Sequence, residues 1–296
     1  YKKMNLDVNT FFEMQGMVGS ICNNPEDYAS FYHNYKGRHY RHDQVHNLFG
    51  YYMTRSASEA FERYVPEKRI LLFSRASYIG MHRFGGIWQG DNASWWSHLK
   101  MNVKMMPSLN MCGFLYTGAD AGGFGNDTTE DLMLRWLEFA VFTPLLRNHS
   151  ARGTRRQEVY RFSHVEKFAD VIGVRYQILP YIYSEYMKAA LQNTMMFNPL
   201  SFLYGEDALA GQVEDQLFIG ENVMVAPVCE QNMSGRVVYF PERMKQLIFK
   251  NGIVEEGKVY EKGFSYVEMP MGTVHVFLRE GYLFPVAKGG KCVEDV

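Results

Sequence analysis

The sequence predicts an α/β protein: half of a (β/α)8 barrel followed by an antiparallel β-sandwich. Three observations point there. Short apolar runs end in polar residues and lead into helix-like stretches, the rhythm of parallel βα units. Only about four such units fit before the pattern stops. After about residue 195 the texture changes to β-rich segments separated by Gly, Pro, Asn and Glu.

Residues 1–45 are polar and irregular and read as an excursion from the barrel, with Asn23-Asn24-Pro25-Glu26-Asp27 as a turn or helix start. The barrel part is assigned to residues 46–195. Arg69-Ile70-Leu71-Leu72-Phe73 suits a strand buried on both faces and ends at Ser74-Arg75. Gly86-Ile87-Trp88 ends at Gly90-Asp91-Asn92. A helix is predicted from about Ser94 to Met106, stopped by Pro107. Cys112-Gly113-Phe114-Leu115-Tyr116 reads as the next strand, ending at Thr117-Gly118-Ala119-Asp120. Asp127, Thr128 and Glu130 cap a helix that runs to about Phe142 and is broken by Pro144. Leu145-Leu146 is a further strand, ending at Arg147-Asn148-His149, and a helix spans roughly 164–190. Residues 196–296 form the sandwich, with Val223-Met224-Val225-Ala226, Gly235 to Phe240 and Thr273 to Leu278 as strands.

In a (β/α)8 barrel the C-terminal strand ends gather on one face. Arg75, Asp91, Asp120 and His149 are therefore predicted to converge. A doubly wound sheet is the competing architecture. Gly118, Gly122, Gly123 and Gly125 do not form its G-x-G-x-x-G fingerprint, so no dinucleotide cofactor, and no other cofactor, is expected.

The formal net charge of −1 argues against a nucleic-acid partner and gives no reason to expect an anionic membrane surface. The 20 Tyr, 21 Phe and 4 Trp mostly fill the core, yet suit a site where sugar faces stack on rings. Cys22, Cys112, Cys229 and Cys292 are far apart, with no C-x-x-C pair, which argues against zinc and against a disulfide framework and fits a reducing compartment. His33, His39, His42 and His46 cluster without the H-E-x-x-H pattern of a zinc site, so no metal is expected. The first residues do not form a signal peptide, and no apolar run reaches the ~18 residues of a membrane helix. Position 1 is not Met, so residues are expected to precede it.

Four segments occur in order: Phe73-Ser74-Arg75, Trp88-Gln89-Gly90-Asp91-Asn92, Gly118-Ala119-Asp120-Ala121-Gly122-Gly123-Phe124 and Arg147-Asn148-His149. Together they resemble the consecutive signatures of glycoside hydrolase family 31, bacterial α-glucosidase type, with the likeness running from about His46 to Pro285. The resemblance implies the second half of the barrel plus the following β-domain. It implies Asp91 as general acid/base, Arg75, Asp120 and His149 as partners of the sugar at the cleaved subsite, and Trp88 and Phe124 as apolar walls. These residue types suit the task, because sugar hydroxyls need fixed, charge-assisted partners.

Retaining glycosidases need a second carboxylate as nucleophile. In this family it sits in a "W-x-D-M-N-E" type segment on an earlier strand. Lys3-Met4-Asn5-Leu6 echoes its middle but carries Lys where the Asp belongs. The nucleophile is expected upstream of Tyr1, and the isolated chain is expected to be inactive. The implied function is a retaining exo-α-glucosidase acting on short oligosaccharides. The alternatives are an α-xylosidase of the same family and a non-catalytic sugar-binding fragment. The expected partner is the N-terminal half of the same enzyme, or a second copy that covers the open half-barrel. Three of the four sequons, at Asn92, Asn126 and Asn148, fall in the site segments, and the fourth is at Asn232. A glycan there would block the site, so either the protein never meets the glycosylation machinery or those asparagines are inaccessible; the first, a cytoplasmic location, is expected.

Overall fold

The structure, a computed structural model, describes residues 25–290. The Lys3-Met4-Asn5 echo, Cys22 and Cys292 lie outside the described residues. The chain divides into two compact units, Tyr1–Ile70 with Ala76–Met81, and Leu71–Arg75 with His82–Val296.

In the first unit, helix α1 (Pro25–Ser30) starts on a proline, whose fixed φ suits a first turn, and carries Glu26 and Asp27 there. Strands β1 (Tyr32–Tyr35) and β2 (Arg38–Arg41) form an antiparallel hairpin with Tyr35 opposite Arg38. The two loop residues, Lys36 and Gly37, both have positive φ, as a tight hairpin turn of this kind requires. The short helix α2 (His42–Val45) and the long helix α3 (Leu48–Tyr64) follow. Residues 25–45 are thus ordered into helix and hairpin rather than irregular. The sequence hides the hairpin because no residue of β1 or β2 is buried, so no alternating apolar signal is written into it. Gly50 lets α3 lie close to the other segment of this unit: a Cβ there would fall 2.5 Å from the Ala76 carbonyl oxygen.

The second unit opens with three short parallel strands in the order β3 (Phe73–Ser74), β4 (Gly86–Trp88), β5 (Thr117–Gly118). Phe73 pairs with Gly86, and Ile87 with Thr117. A parallel bridge between Asp120 and Arg147 continues the pairing into the next segment. Helices α4 (Trp96–Met111), α5 (Glu130–Ala140) and α6 (Val165–Gln192) alternate with these strands as βα units require. Among the described strands, β3 neighbours β4.

Several local expectations are corrected. Only Phe73 and Ser74 of the first apolar run pair as strand, and Leu71 is exposed. Pro107 lies inside α4 instead of ending it. The last turn is held from outside the helix: the buried Asn110 amide donates to Phe114 O, and its Oδ1 accepts from Met196 N and Phe197 N. These tertiary bonds outweigh the lost Pro N–H. Cys112 and Gly113 belong to the close of α4, with Gly113 at φ +87°, so the strand predicted at Cys112–Tyr116 begins only at Thr117. Leu145-Leu146 is not a strand. The side chain of Arg175 takes the carbonyls of Val141, Thr143 and Pro144, fixing an irregular turn after α5. Burial lowers the Arg175 guanidinium to about 10, and the three carbonyls that it binds compensate its lost hydration.

Asn193, in the left-handed region, ends α6, and antiparallel strands follow. They are β6 (Phe197–Pro199), after which comes helix α7 (Leu200–Leu203), then β7 (Leu217–Ile219), β8 (Val223–Val225), β9 (Gly235–Phe240), β10 (Met244–Lys250), β11 (Ile253–Tyr260), β12 (Gly263–Glu268) and β13 (Val274–Arg279). Six of them form one sheet in the order β11-β10-β13-β8-β7-β6, and β9 pairs with β12. Side chains alternate across the large sheet. Leu217, Ile219, Val223 and Val225 join the core of the barrel helices, whereas Phe218, Met224 and Phe277 join a second core with Val238, Phe240 and Val267 of the β9–β12 pair. The two-layer sandwich is therefore anchored to the barrel helices by a continuous core. No helix among the described residues is long and apolar enough to cross a membrane.

Candidate active site

The ends of β3, β4 and β5 carry the polar residues. Arg75 follows β3, and its Nη1 donates to Asp91 Oδ2, beyond β4, at 3.2 Å. Both side chains are well exposed, 63% and 49%. At that exposure the pair contributes little to stability. Its consequence is geometric, since it points a cation and a carboxylate to the same open side. The Arg75 guanidinium also lies 5.6 Å from the centre of the Trp88 ring. Gly90, at φ +89°, makes the turn between Trp88 and Asp91 that a side chain would resist.

Asn92, beside Asp91, is 3% exposed. Its Nδ2 donates to Asn102 Oδ1 at 3.0 Å and to Asp120 O at 3.3 Å, while its Oδ1 accepts from Phe124 N at 3.1 Å. Its carbonyl accepts from Gly125 N at 2.9 Å. Asn102 donates onward to Gln89 Oε1 at 2.6 Å. One buried carboxamide thus ties the Asp91 segment to the 120–125 loop. With its amide committed, Asn92 has no room for a glycan, whereas Asn126 and Asn232 are exposed.

Asp120 is placed differently from the other residues expected to meet the sugar. It is fully buried, at 0% exposure. Its Oδ1 accepts from Arg147 Nε at 2.5 Å, and its Oδ2 has no hydrogen-bond partner. Burial raises its carboxyl above the usual range, opposed by the hydrogen bond and charge of Arg147 and, to a smaller extent, by His149. The Trp88 indole N–H also favours the ionised form, although it makes no hydrogen bond of ordinary geometry. Asp120 is therefore closed off from solvent, with Arg147 bound to it. That guanidinium, 30% exposed, lies 4.9 Å from the Trp88 ring centre and 5.6 Å from that of Phe73.

Phe124 and His149 form a ring pair, with centroids 5.1 Å apart and planes tilted by 31°. Of the residues that the sequence singles out, Arg75 meets both Trp88 and Asp91, Phe124 and His149 are in contact, and the buried Asp120 is joined to Trp88 through Arg147. Arg147, Asn92 and Gln157 are not among those residues. Arg147 and Asn92 at least stand inside the recognised segments; nothing in the sequence marks Gln157.

Three histidines of the first unit, His33, His42 and His46, are linked by hydrogen bonds. His33 Nε2 meets His42 Nδ1 at 2.8 Å, and His46 Nδ1 meets His42 Nε2 at 3.0 Å. The two ring nitrogens of the central imidazole thus face different neighbours rather than one point. No group of three or more His, Cys, Asp or Glu among the described residues is placed to hold a metal ion.

A family model described as "Glycosyl hydrolases family 31 TIM-barrel domain" matches residues 5–185, and one described as "Glycosyl hydrolase family 31 C-terminal domain" matches residues 193–284. The Alpha-glucosidase 2 of Bacillus thermoamyloliquefaciens is 32% identical over 253 residues, which are 84% of this chain and 31% of that one. The Lysosomal alpha-glucosidase of Mus musculus is 30% identical over 292 residues, 92% of this chain and 30% of that one. A solved GH31 dextranase of Flavobacterium johnsoniae, complexed with glucose, superposes with a TM-score of 0.78 at 26% identity, covering 91% of this chain and 34% of that one. The chain thus spans about a third of the length of these relatives.

Proposed function

The chain belongs to glycoside hydrolase family 31, and from that premise we propose that it forms the acid/base-bearing part of a retaining exo-α-glucosidase. The observation that carries the reading is the Arg75–Asp91–Trp88 cluster at the ends of neighbouring parallel strands. The Asp91 carboxyl, half open to solvent at the rim of the strands, is placed where a residue can hand a proton to a leaving oxygen. Asp91 protonates the glycosidic oxygen, then takes a proton from the water that releases the sugar. Arg75 and His149 hold hydroxyls of the sugar at the cleaved subsite, and Trp88 and Phe124 flank it.

The reaction needs a second carboxylate on the opposite face of the sugar, about 5 Å from the first, to form the glycosyl-enzyme. Every described carboxylate of the parallel-strand cluster is engaged: Asp91 with Arg75, and Asp120 buried with Arg147. The nucleophile is assigned to an upstream segment that supplies the remaining barrel strands. Leu71 and Phe73, exposed at β3, are where those strands pack. The substrate class is short oligosaccharides ending in α-linked glucose, as the names of the curated relatives suggest.

The test is glucose release from a nitrophenyl α-glucoside by this chain of verified mass, alone and joined to the upstream segment. Activity only with the segment, and its loss in Asp91→Asn, supports the reading. Hydrolysis by the chain alone would show that the nucleophile is one of its own carboxylates. No hydrolysis even by the joined protein would favour a non-catalytic sugar-binding role.

A further inference from the structure

Gln157 lies after the Arg147-Asn148-His149 segment and is 2% exposed. Its side-chain nitrogen faces three oxygens: Ala121 O at 3.3 Å, Gly123 O at 3.1 Å and Asn148 Oδ1 at 3.0 Å. Asn148 replies, its Nδ2 donating to the Gln157 carbonyl at 2.8 Å. Chemistry alone fixes which way the amide points, because reversing it would set Oε1 against three lone-pair acceptors. The same orientation leaves Oε1 buried without a partner. An apolar side chain of similar volume would fill the space without that desolvation cost. Packing alone is thus a poor reason for a glutamine here. Its donors are the reason.

The groups it joins bear on the sugar subsite. Ala121 and Gly123 precede Phe124, and Asn148 precedes His149, the two rings that meet at 5.1 Å. Phe124 O also accepts from Ala151 N at 2.8 Å, and Arg155 Nη1 donates to Thr128 O at 3.0 Å. The loop that carries Gln157 is thereby fastened along the 120–128 loop. Gln157 is the point where this loop meets both site-bearing segments at once.

We propose that Gln157 is a positioning residue of the sugar subsite: its amide nitrogen clamps the 121–123 backbone to Asn148 and so holds the Phe124 ring against His149. The proposal rests on the function proposed above. Gln157 itself touches no substrate; it acts through His149 and Phe124.

The experiment is a double-mutant cycle in the complete enzyme, with Gln157→Met, His149→Ala and the pair together. Kd for a glucose-configured iminosugar is read alongside KM and kcat for a nitrophenyl α-glucoside. Gln157→Met is expected to raise Kd and KM about tenfold while changing kcat less than about threefold. In the His149→Ala background the same substitution is expected to change Kd less than about twofold. Independent, multiplying effects, or a lowered melting temperature with unchanged Kd, make Gln157 a packing residue and overturn the proposal. Should Gln157→Met fail to fold, Asn148→Ala breaks the clamp from an exposed position, and an unchanged Kd there overturns it equally. If His149→Ala leaves Kd and KM unaltered, the subsite is misplaced and the proposed function fails at its root, taking this inference with it.

Discussion

Arg147 Nε donates to the Oδ1 of Asp120 at 2.5 Å, and this bond is what makes a fully buried aspartate tolerable beneath Trp88. Removing the guanidinium leaves a buried carboxylate without its counter-charge, whereas removing both charges leaves a neutral site. Arg147→Met is expected to destabilise the protein by on the order of 2–4 kcal/mol, below the fully buried range because Arg147 is itself 30% exposed. Arg147→Met combined with Asp120→Asn is expected to cost less than Arg147→Met alone. Denaturant unfolding of the three variants checks this, and additive losses would show the two residues to be uncoupled.

Two buried groups at the junction of α5 and the sandwich titrate in opposite senses. Glu138 accepts from Arg135 Nη1 and Gly272 N, each at 2.8 Å, yet burial outweighs both and raises its carboxyl from 4.5 to about 7. The folded protein therefore keeps a proton that the unfolded chain releases. That stability is full below about pH 4.5 and is lost as pH rises through about 7. His275, held by Gln246 Nε2 and Thr273 Oγ1, is lowered from 6.5 to about 4, by burial first and Arg135 second. Its contribution is full above about pH 6.5 and is lost as pH falls through about 4.

Between about pH 4.5 and 6.5 these effects oppose one another, each on the order of 1–3 kcal/mol. Glu138→Gln is expected to lose melting temperature more steeply than the wild type on acidification, because only the His275 loss remains. His275→Gln is expected to lose it less steeply, or to gain. Melting curves across that window check the signs, and parallel curves for all three proteins would contradict them.

Gly123 stands where the 120–125 loop crosses the Asp91 segment. Its φ is +90°, and a Cβ would fall 2.5 Å from both N and Cα of Ser94. Gly153 has a similar φ of +93° with nothing within 4 Å of that Cβ. Gly153→Ala is expected to cost only the backbone term, about 1 kcal/mol. Gly123→Ala is expected to cost about 2–4 kcal/mol and to lower kcat/KM by displacing Asp91. Equal melting temperatures for the two variants would mean that the crossing is not tight.

The architecture was legible where burial writes a pattern. Short apolar runs followed by Arg75, Asp91 and Asp120 mark parallel strand ends, since a strand covered by helices is apolar until it reaches the open rim. The hairpin of Tyr32–Arg41 was not, because none of its side chains is buried. Pro107 misled for another reason: Asn110 holds the helix end through bonds to Met196 and Phe197, residues more than eighty positions away. The site shows the same division. Sequence names the residue types that can hold a sugar, but it cannot say that the Asp120 carboxylate turns inward to Arg147. Nor can it show that the Gln157 amide reaches two loops, because that fact exists only in the folded packing.

The most direct measurement is the kinetics of Asp91→Ala in the complete enzyme on substrates that differ in their need for a proton. Hydrolysis of an unactivated α-glucoside is expected to fall by about 10²–10⁴-fold. Cleavage of α-glucosyl fluoride, whose leaving group needs little protonation, is expected to fall far less. Azide is expected to restore turnover and to give α-glucosyl azide, the retained configuration, by attacking the glycosyl-enzyme in place of activated water. An equal loss on both substrates with no azide adduct, or no loss at all, would contradict Asp91 as the general acid/base.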